Sequence, residues 1–217
     1  MGKKSNVQAM KTLDGICRKA VSCRSCFSDF NLFPADIDIA QPRWVGPKYW
    51  QSHKKLVVIM INPGSGNFRN DSGARKTRDL LREYYKENKS LNEVFRFQRV
   101  DMENWGRGRR FLNFFENSFD LDLKEIGFMN LAWCATKDNQ YPSIMLNECF
   151  WKHGIPLLQM LEPDYVLLCG SKTHRFSGNI EECLPNSKTI PTLHYAHREG
   201  YDREASEASR IKAVLAK

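Results

Sequence analysis

The chain has 217 residues, 41% of them apolar and 27% charged, with a formal net charge of +8. It is long enough to bury a core without disulfide staples, and its composition excludes an intrinsically disordered chain. No apolar run approaches the roughly 20 residues of a membrane-spanning helix, and the first residues, Met-Gly-Lys-Lys-Ser-Asn, lack the apolar stretch of a secretory signal. A cytoplasmic monomer with no membrane partner is the expectation.

In the absence of internal repeats, low-complexity tracts or Gly/Ser linkers, a single domain is predicted over 1–217, with 1–22 as a flexible or helical N-terminal extension. Short uninterrupted apolar runs predict strands over 56–61, 126–131, 165–169 and, more weakly, 188–193; runs of this kind suit strands buried on both faces of a parallel sheet. Between them, 77–89, 145–161 and 206–215 have helix-like spacing. Pro156 should kink the second unless it begins a new helix. Strands alternating with helices predict a doubly wound α/β fold, in which ligands bind beyond the carboxyl ends of the strands. Three segments follow strand ends and are candidates for chemistry: 62–66, 130–134 and 194–198.

The first, Asn62-Pro63-Gly64-Ser65-Gly66, makes a tight turn in which the Asn amide can orient a water or a leaving group by hydrogen bonds. Read alone, Asn-Pro-Gly is also simply a good turn. The last, His194-Tyr195-Ala196-His197-Arg198, offers an imidazole able to stabilise a developing negative charge and an arginine suited to phosphate. The net positive charge favours a polyanionic partner such as DNA.

Seven cysteines in such a chain read as reduced thiols or metal ligands. Cys23-Arg-Ser-Cys26 lets two thiolates converge on one centre, and Cys134 and Cys149 lie far downstream; four thiolates suit either zinc or a [4Fe-4S] cluster. Cys17 could replace one of the four, Cys169 ends an apolar strand as a core thiol, and Cys183 has no assigned role.

Taken jointly, Cys23-x2-Cys26, Ile61-Asn62-Pro63-Gly64, Asn130-Leu-Ala-Trp-Cys134, Tyr141-Pro142, Cys149 and His194-Tyr-Ala-His-Arg198 resemble the uracil-DNA glycosylase superfamily, with the cysteine pattern of its iron-sulfur branch. The resemblance implies a three-layer α/β/α sandwich around a four-stranded, mainly parallel sheet. It implies a [4Fe-4S] cluster, with zinc as the alternative, on Cys23, Cys26, Cys134 and Cys149, away from the chemistry. Asn62 is expected to activate water, Asn130 to read the edge of a flipped base, and His194 to stabilise the charge left on that base. Gly64 and Phe68 are expected beside the base, and Ser65, Arg198, Arg109 and Arg110 on DNA.

The chain departs from the family pattern at three places. Asn62 stands where the iron-sulfur branch usually has an acid, His194-Tyr-Ala replaces His-Pro-Ser, and the aromatic that stacks on uracil is missing at its usual spacing, with Phe68 as a substitute. The charged segment 86–115, with Trp105, Arg107, Arg109, Arg110 and Phe111, reads equally as a nucleic-acid contact or as a solvated loop. Arg198 and Tyr201 are candidates for a duplex wedge or a phosphate contact. The expected activity is hydrolysis of an N-glycosidic bond of uracil or a modified pyrimidine without strand cutting. The alternatives are a defence enzyme excising hypermodified cytosine from phage DNA, and a non-catalytic DNA-binding module.

Overall fold

The computed structural model describes residues 6–63 and 72–216. Its elements in chain order are α1 (Asn6–Ser22), α2 (Ser25–Ser28), β1 (Leu56–Met60), α3 (Ser72–Tyr85), α4 (Leu91–Asp101), α5 (Arg110–Leu112), β2 (Ile126–Asn130), α6 (Ser143–Cys149), α7 (Ile155–Leu161), β3 (Tyr165–Cys169), α8 (Ser171–His174), α9 (Ser177–Cys183), β4 (Lys188–Thr192) and α10 (Tyr201–Leu215). The fold class is α/β, as expected: four strands form one parallel sheet in the order β2-β1-β3-β4, with helices around it. All four strands fall within the runs read from sequence.

Every residue of β1 and β2 is buried, which is why their sequences show no polar alternation. β1 pairs with β3 from Leu56 opposite Tyr165 to Ile59 opposite Leu168, and β3 pairs with β4 from Tyr165 opposite Lys188 to Cys169 opposite Thr192. β4 lies at the edge of the sheet and contains Pro191, whose missing N–H is tolerated there. The order places the topological switch between β1 and β3, whose onward connections run in opposite directions across the sheet.

The chain divides into two compact units. One holds the described residues up to Arg43, with those of Asn62–Gln98 and Met129–Leu161. Its α1 is an integral part of it: Ala9, Leu13, Cys17, Ala20 and Val21 recur at helical spacing and are buried, and the helix packs on α3 and α7. Arg18 bonds the Tyr84 carbonyl at 3.0 Å, and the Tyr84 hydroxyl donates to Asp14 Oδ1 at 2.9 Å. The stretch from α6 to α7 runs on without a break through a π-helical turn at Phe150–Gly154. Pro156 falls in this continuous helix directly after the π-helical turn, a local widening of the helix that accommodates its missing N–H. Gly154 is needed in that turn because a Cβ would stand 2.8 Å from Phe150 Cδ2 and 2.9 Å from Met129 Cε.

The other unit holds Trp44–Ile61, Arg99–Phe128 and the described residues from Glu162 onward. Its core includes an aromatic cluster in which Phe111, Phe115 and Phe128 lie within 5.3 Å of one another, centroid to centroid. Trp105 packs edge-on against Phe111 at 4.9 Å. The aromatic half of the basic and aromatic segment thus serves the core, with Phe111 fully buried.

Candidate active site and cysteine cluster

Asn62 lies two residues beyond β1 and is half-buried. Its Nδ2 donates to Asn139 Oδ1 at 3.2 Å, and its side chain also hydrogen-bonds Tyr141. Burial pushes the Tyr141 phenol up from its ordinary range, and its oxygen accepts the Thr136 N–H at 3.2 Å. Asn139 follows Asp138 in a turn where both adopt left-handed backbone, φ 53° and 58°, a conformation that Asn and Asp tolerate better than most residues. The Asn62 amide is therefore held by two side chains of one downstream loop. Sequence reading placed Tyr141 in that loop without giving it this contact, and it passed over Asn139. Gly64, Ser65 and Phe68 lie outside the described residues.

Asn130 is the last residue of β2 and is 1% exposed, yet neither its Nδ2 nor its Oδ1 has a hydrogen-bond partner. Leaving a buried amide unpaired costs about 1–3 kcal/mol for each group, so such a site asks for a water or a ligand. Two more buried amides in the same unit share the property: Gln41 at Nε2 and Gln98 at Oε1. The Gln41 N–H donates to the Trp133 carbonyl at 2.7 Å, Gln98 Nε2 donates to the Pro42 carbonyl at 2.6 Å, and Arg43 donates to the Pro63 carbonyl at 2.6 Å. The 41–43 segment thus ties the chain after β2 to α4 and to the turn after β1. Nothing in the sequence pattern singled it out.

His194 lies two residues beyond β4, directly against Gly170, which has φ +93°. The Ala196 N–H donates to His194 Nδ1 at 3.2 Å, which leaves Nε2 as the ring nitrogen carrying the proton in the neutral form. Burial lowers the His194 pKa from its ordinary value, with His197 adding to the effect. The arrangement is a neutral imidazole able to donate from Nε2. Tyr195 packs on Phe111 at 5.3 Å, ring centroid to centroid.

His197 and Arg110 converge on a buried carboxylate. His197 Nε2 lies 3.0 Å from Glu204 Oε2, the same oxygen accepts from Arg110, and Ser118 Oγ donates to Glu204 Oε1. Burial pushes the Glu204 carboxyl up, but the hydrogen bonds from Arg110, Ser118 and His197 outweigh it and hold the group below its ordinary range. Arg110, expected on DNA, has its guanidinium engaged in this network. Arg109 is exposed and lies 3.6 Å from Glu103, while Arg198 and Tyr201 are exposed.

The four cysteines named from spacing belong to one unit and sense one another. The Cys26 sulfur is hydrogen-bonded by Cys134 and by Cys149, which favours its thiolate and lowers its pKa. The reciprocal effect, with burial, raises Cys134 and Cys149. Cys23 is lowered to about 6, chiefly by a hydrogen bond with His153. Cys23, Cys26 and Cys149 line a small cavity with Ser25, Phe30, Met145 and Lys152. Four sulfurs in one unit, with Cys26 in contact with both Cys134 and Cys149, make up the donor set of a thiolate-ligated centre, and Cys23 and Cys26 are the two that favour the anion. Among the described residues, no group of three or more His, Cys, Asp or Glu surrounds a point able to hold a single ion, so the fit rests on the thiol contacts. Cys17 stands apart from this set, beside Asp14 and Tyr84, and Cys169 is fully buried.

No protein-family model matches the chain, and no curated protein matches it. Among the described residues no helix is long and apolar enough to cross a membrane.

Proposed function

We propose that the chain is a monofunctional DNA glycosylase that hydrolyses the N-glycosidic bond of a flipped pyrimidine. The observation that carries this reading is Asn130, a buried amide with both polar atoms unpaired at the carboxyl end of a parallel strand. One amide donor and one amide acceptor side by side match the N3–H and O4 edge of uracil.

Extruding a nucleotide costs a few kcal/mol, recovered by hydrogen bonding and stacking in the pocket. Cleavage develops positive character on the sugar and negative character on the base. His194 supports the latter, because a neutral Nε2–H can donate to the base oxygen without first losing a proton. Asn62, held by Asn139 and Tyr141, orients the attacking water. No lysine stands at these motif positions, so the expected product is an abasic site in an uncut strand.

Cys23, Cys26, Cys134 and Cys149 would hold a [4Fe-4S] cluster, with zinc as the alternative; bound there, it would cross-link segments far apart in sequence. The partner is DNA, attracted by the net charge of +8. The unpaired Nε2 of Gln41 and Oε1 of Gln98 favour a second reading, in which the base carries polar groups beyond the uracil edge, as the hypermodified cytosines of phage DNA do.

The test is base release followed by mass spectrometry, from uracil-containing oligonucleotides and from phage DNA with modified cytosine, comparing wild type with Asn62→Ala. Free uracil supports a repair enzyme, and a released modified base supports a defence enzyme. DNA binding without release from any substrate replaces both with a non-catalytic binding module.

A further inference from the structure

We propose that Glu204 is a positioning residue for the reaction, acting through His197 to fix the turn that carries His194. The inference rests on the glycosylase reading of His194 and adds to it the device that holds the imidazole in place.

The argument follows hydrogen bonds within one unit. Glu204 sits in the first turn of α10 with its side chain 8% exposed, and His197 is 7% exposed. The Glu199 N–H donates to His197 Nδ1 at 3.2 Å. Nδ1 is therefore an acceptor, and the His197 proton is on Nε2, facing Glu204 Oε2 at 3.0 Å. Arg110 Nη2 and His197 Nε2 lie 2.9 Å apart because both donate to that oxygen. His197 is thus pinned at both ring nitrogens.

Its backbone then closes the turn. The His197 N–H donates to the His194 carbonyl at 2.8 Å, and within that turn the Ala196 N–H reaches His194 Nδ1 at 3.2 Å. On the other side, His194 packs against the Cβ-less face of Gly170, where an added Cβ would stand 3.3 Å from His194 Cβ. Glu204 is more than a core ion pair in this arrangement, because one of its three donors, His197, belongs to the turn that carries His194. A carboxylate is required for it: an amide at the same place presents a single acceptor oxygen and leaves the Arg110 charge without a counter-ion.

The experiment compares Glu204→Gln, His197→Phe, the double variant and Ser118→Ala in single-turnover base release, in DNA affinity and in an NMR titration of the His194 ring. Glu204→Gln and His197→Phe are each expected to slow release roughly 10- to 100-fold with DNA affinity kept, the scale set by a misplaced reacting group. The double variant should lose no more than either single one, because the two residues act in series. Ser118→Ala, which leaves the His197 contact intact, should keep the rate. The His194 midpoint, depressed in the wild type, should return towards 6.5 in Glu204→Gln as the ring leaves its site. An unmoved midpoint, or additive losses in the double variant, would overturn the proposal. Because the titration needs no substrate, it reports on Glu204 even if the wild type releases no base, an outcome that sinks the glycosylase reading alone.

Discussion

A methyl group placed on Gly170 would stand 3.3 Å from His194 Cβ and 3.6 Å from its Cδ2. The glycine closes β3 with φ +93° and donates its N–H to the Thr192 carbonyl at 2.9 Å, so the end of one strand forms the seat of a side chain that follows the next. Gly170→Ala has both a strained backbone and a displaced imidazole to accommodate. Its stability should fall by about 1–3 kcal/mol, the penalty of a side chain at φ +93°, ψ 154°, a conformation almost confined to glycine, as read by thermal melting. Base release should fall further than that loss accounts for, at unchanged DNA affinity.

The lowered pKa of His194 has a defined sign. The folded protein disfavours the imidazolium, so no stability is lost above the unfolded value of 6.5, and stability declines as pH falls from 6.5 through the folded pKa. Base release should likewise hold down to pH 6.5 and decline only below it, with the acid limb absent in His194→Ala. A rate-pH profile of wild type and variant checks this; an acid limb above 6.5 contradicts the burial argument.

Asn130 should show opposite effects on stability and function. Replacing it with leucine, of similar size, removes two unpaired polar atoms from a buried site, and such exchanges are close to neutral or stabilising. The melting temperature of Asn130→Leu should equal or exceed that of wild type while base release is abolished. A loss of more than about 2 kcal/mol would show that the amide is satisfied in the free protein.

Cysteine substitutions should separate into two classes. Cys26 accepts hydrogen bonds from Cys134 and Cys149, whereas Cys17 lies beside Asp14 and Tyr84. After anaerobic purification, Cys26→Ala should lose the broad visible absorption of an iron-sulfur protein and its bound iron, and Cys17→Ala should keep both. Colourless wild-type protein containing zinc would replace the cluster with the alternative metal.

The N-terminal helix should behave as core. Leu13 is fully buried where α1 meets its unit, and Leu13→Ala is expected to cost about 2–5 kcal/mol in chemical denaturation. A cost below 1 kcal/mol would show that the helix adds little to the core of its unit.

The sequence by itself determined the four strands, because strands buried on both faces must be continuously apolar over their length, and that signal is local. It also singled out Asn62, Asn130, His194 and the four cysteines, since each stands at a strand end or at a ligand spacing visible along the chain. It did not determine the direction of Arg110, whose partner Glu204 lies 94 residues further along the chain. Nor could it show that Phe111 and Trp105 face the core, because a basic and aromatic mixture has the same composition whichever way its rings point. Helix α1 is hard to place for a related reason: the charged Asp14 and Arg18 flank its apolar stripe, and only the fold shows them accommodated by Tyr84 of α3. Local pattern records which residues want burial, and only tertiary packing decides which polar groups meet, since a hydrogen bond between distant residues leaves no periodicity behind.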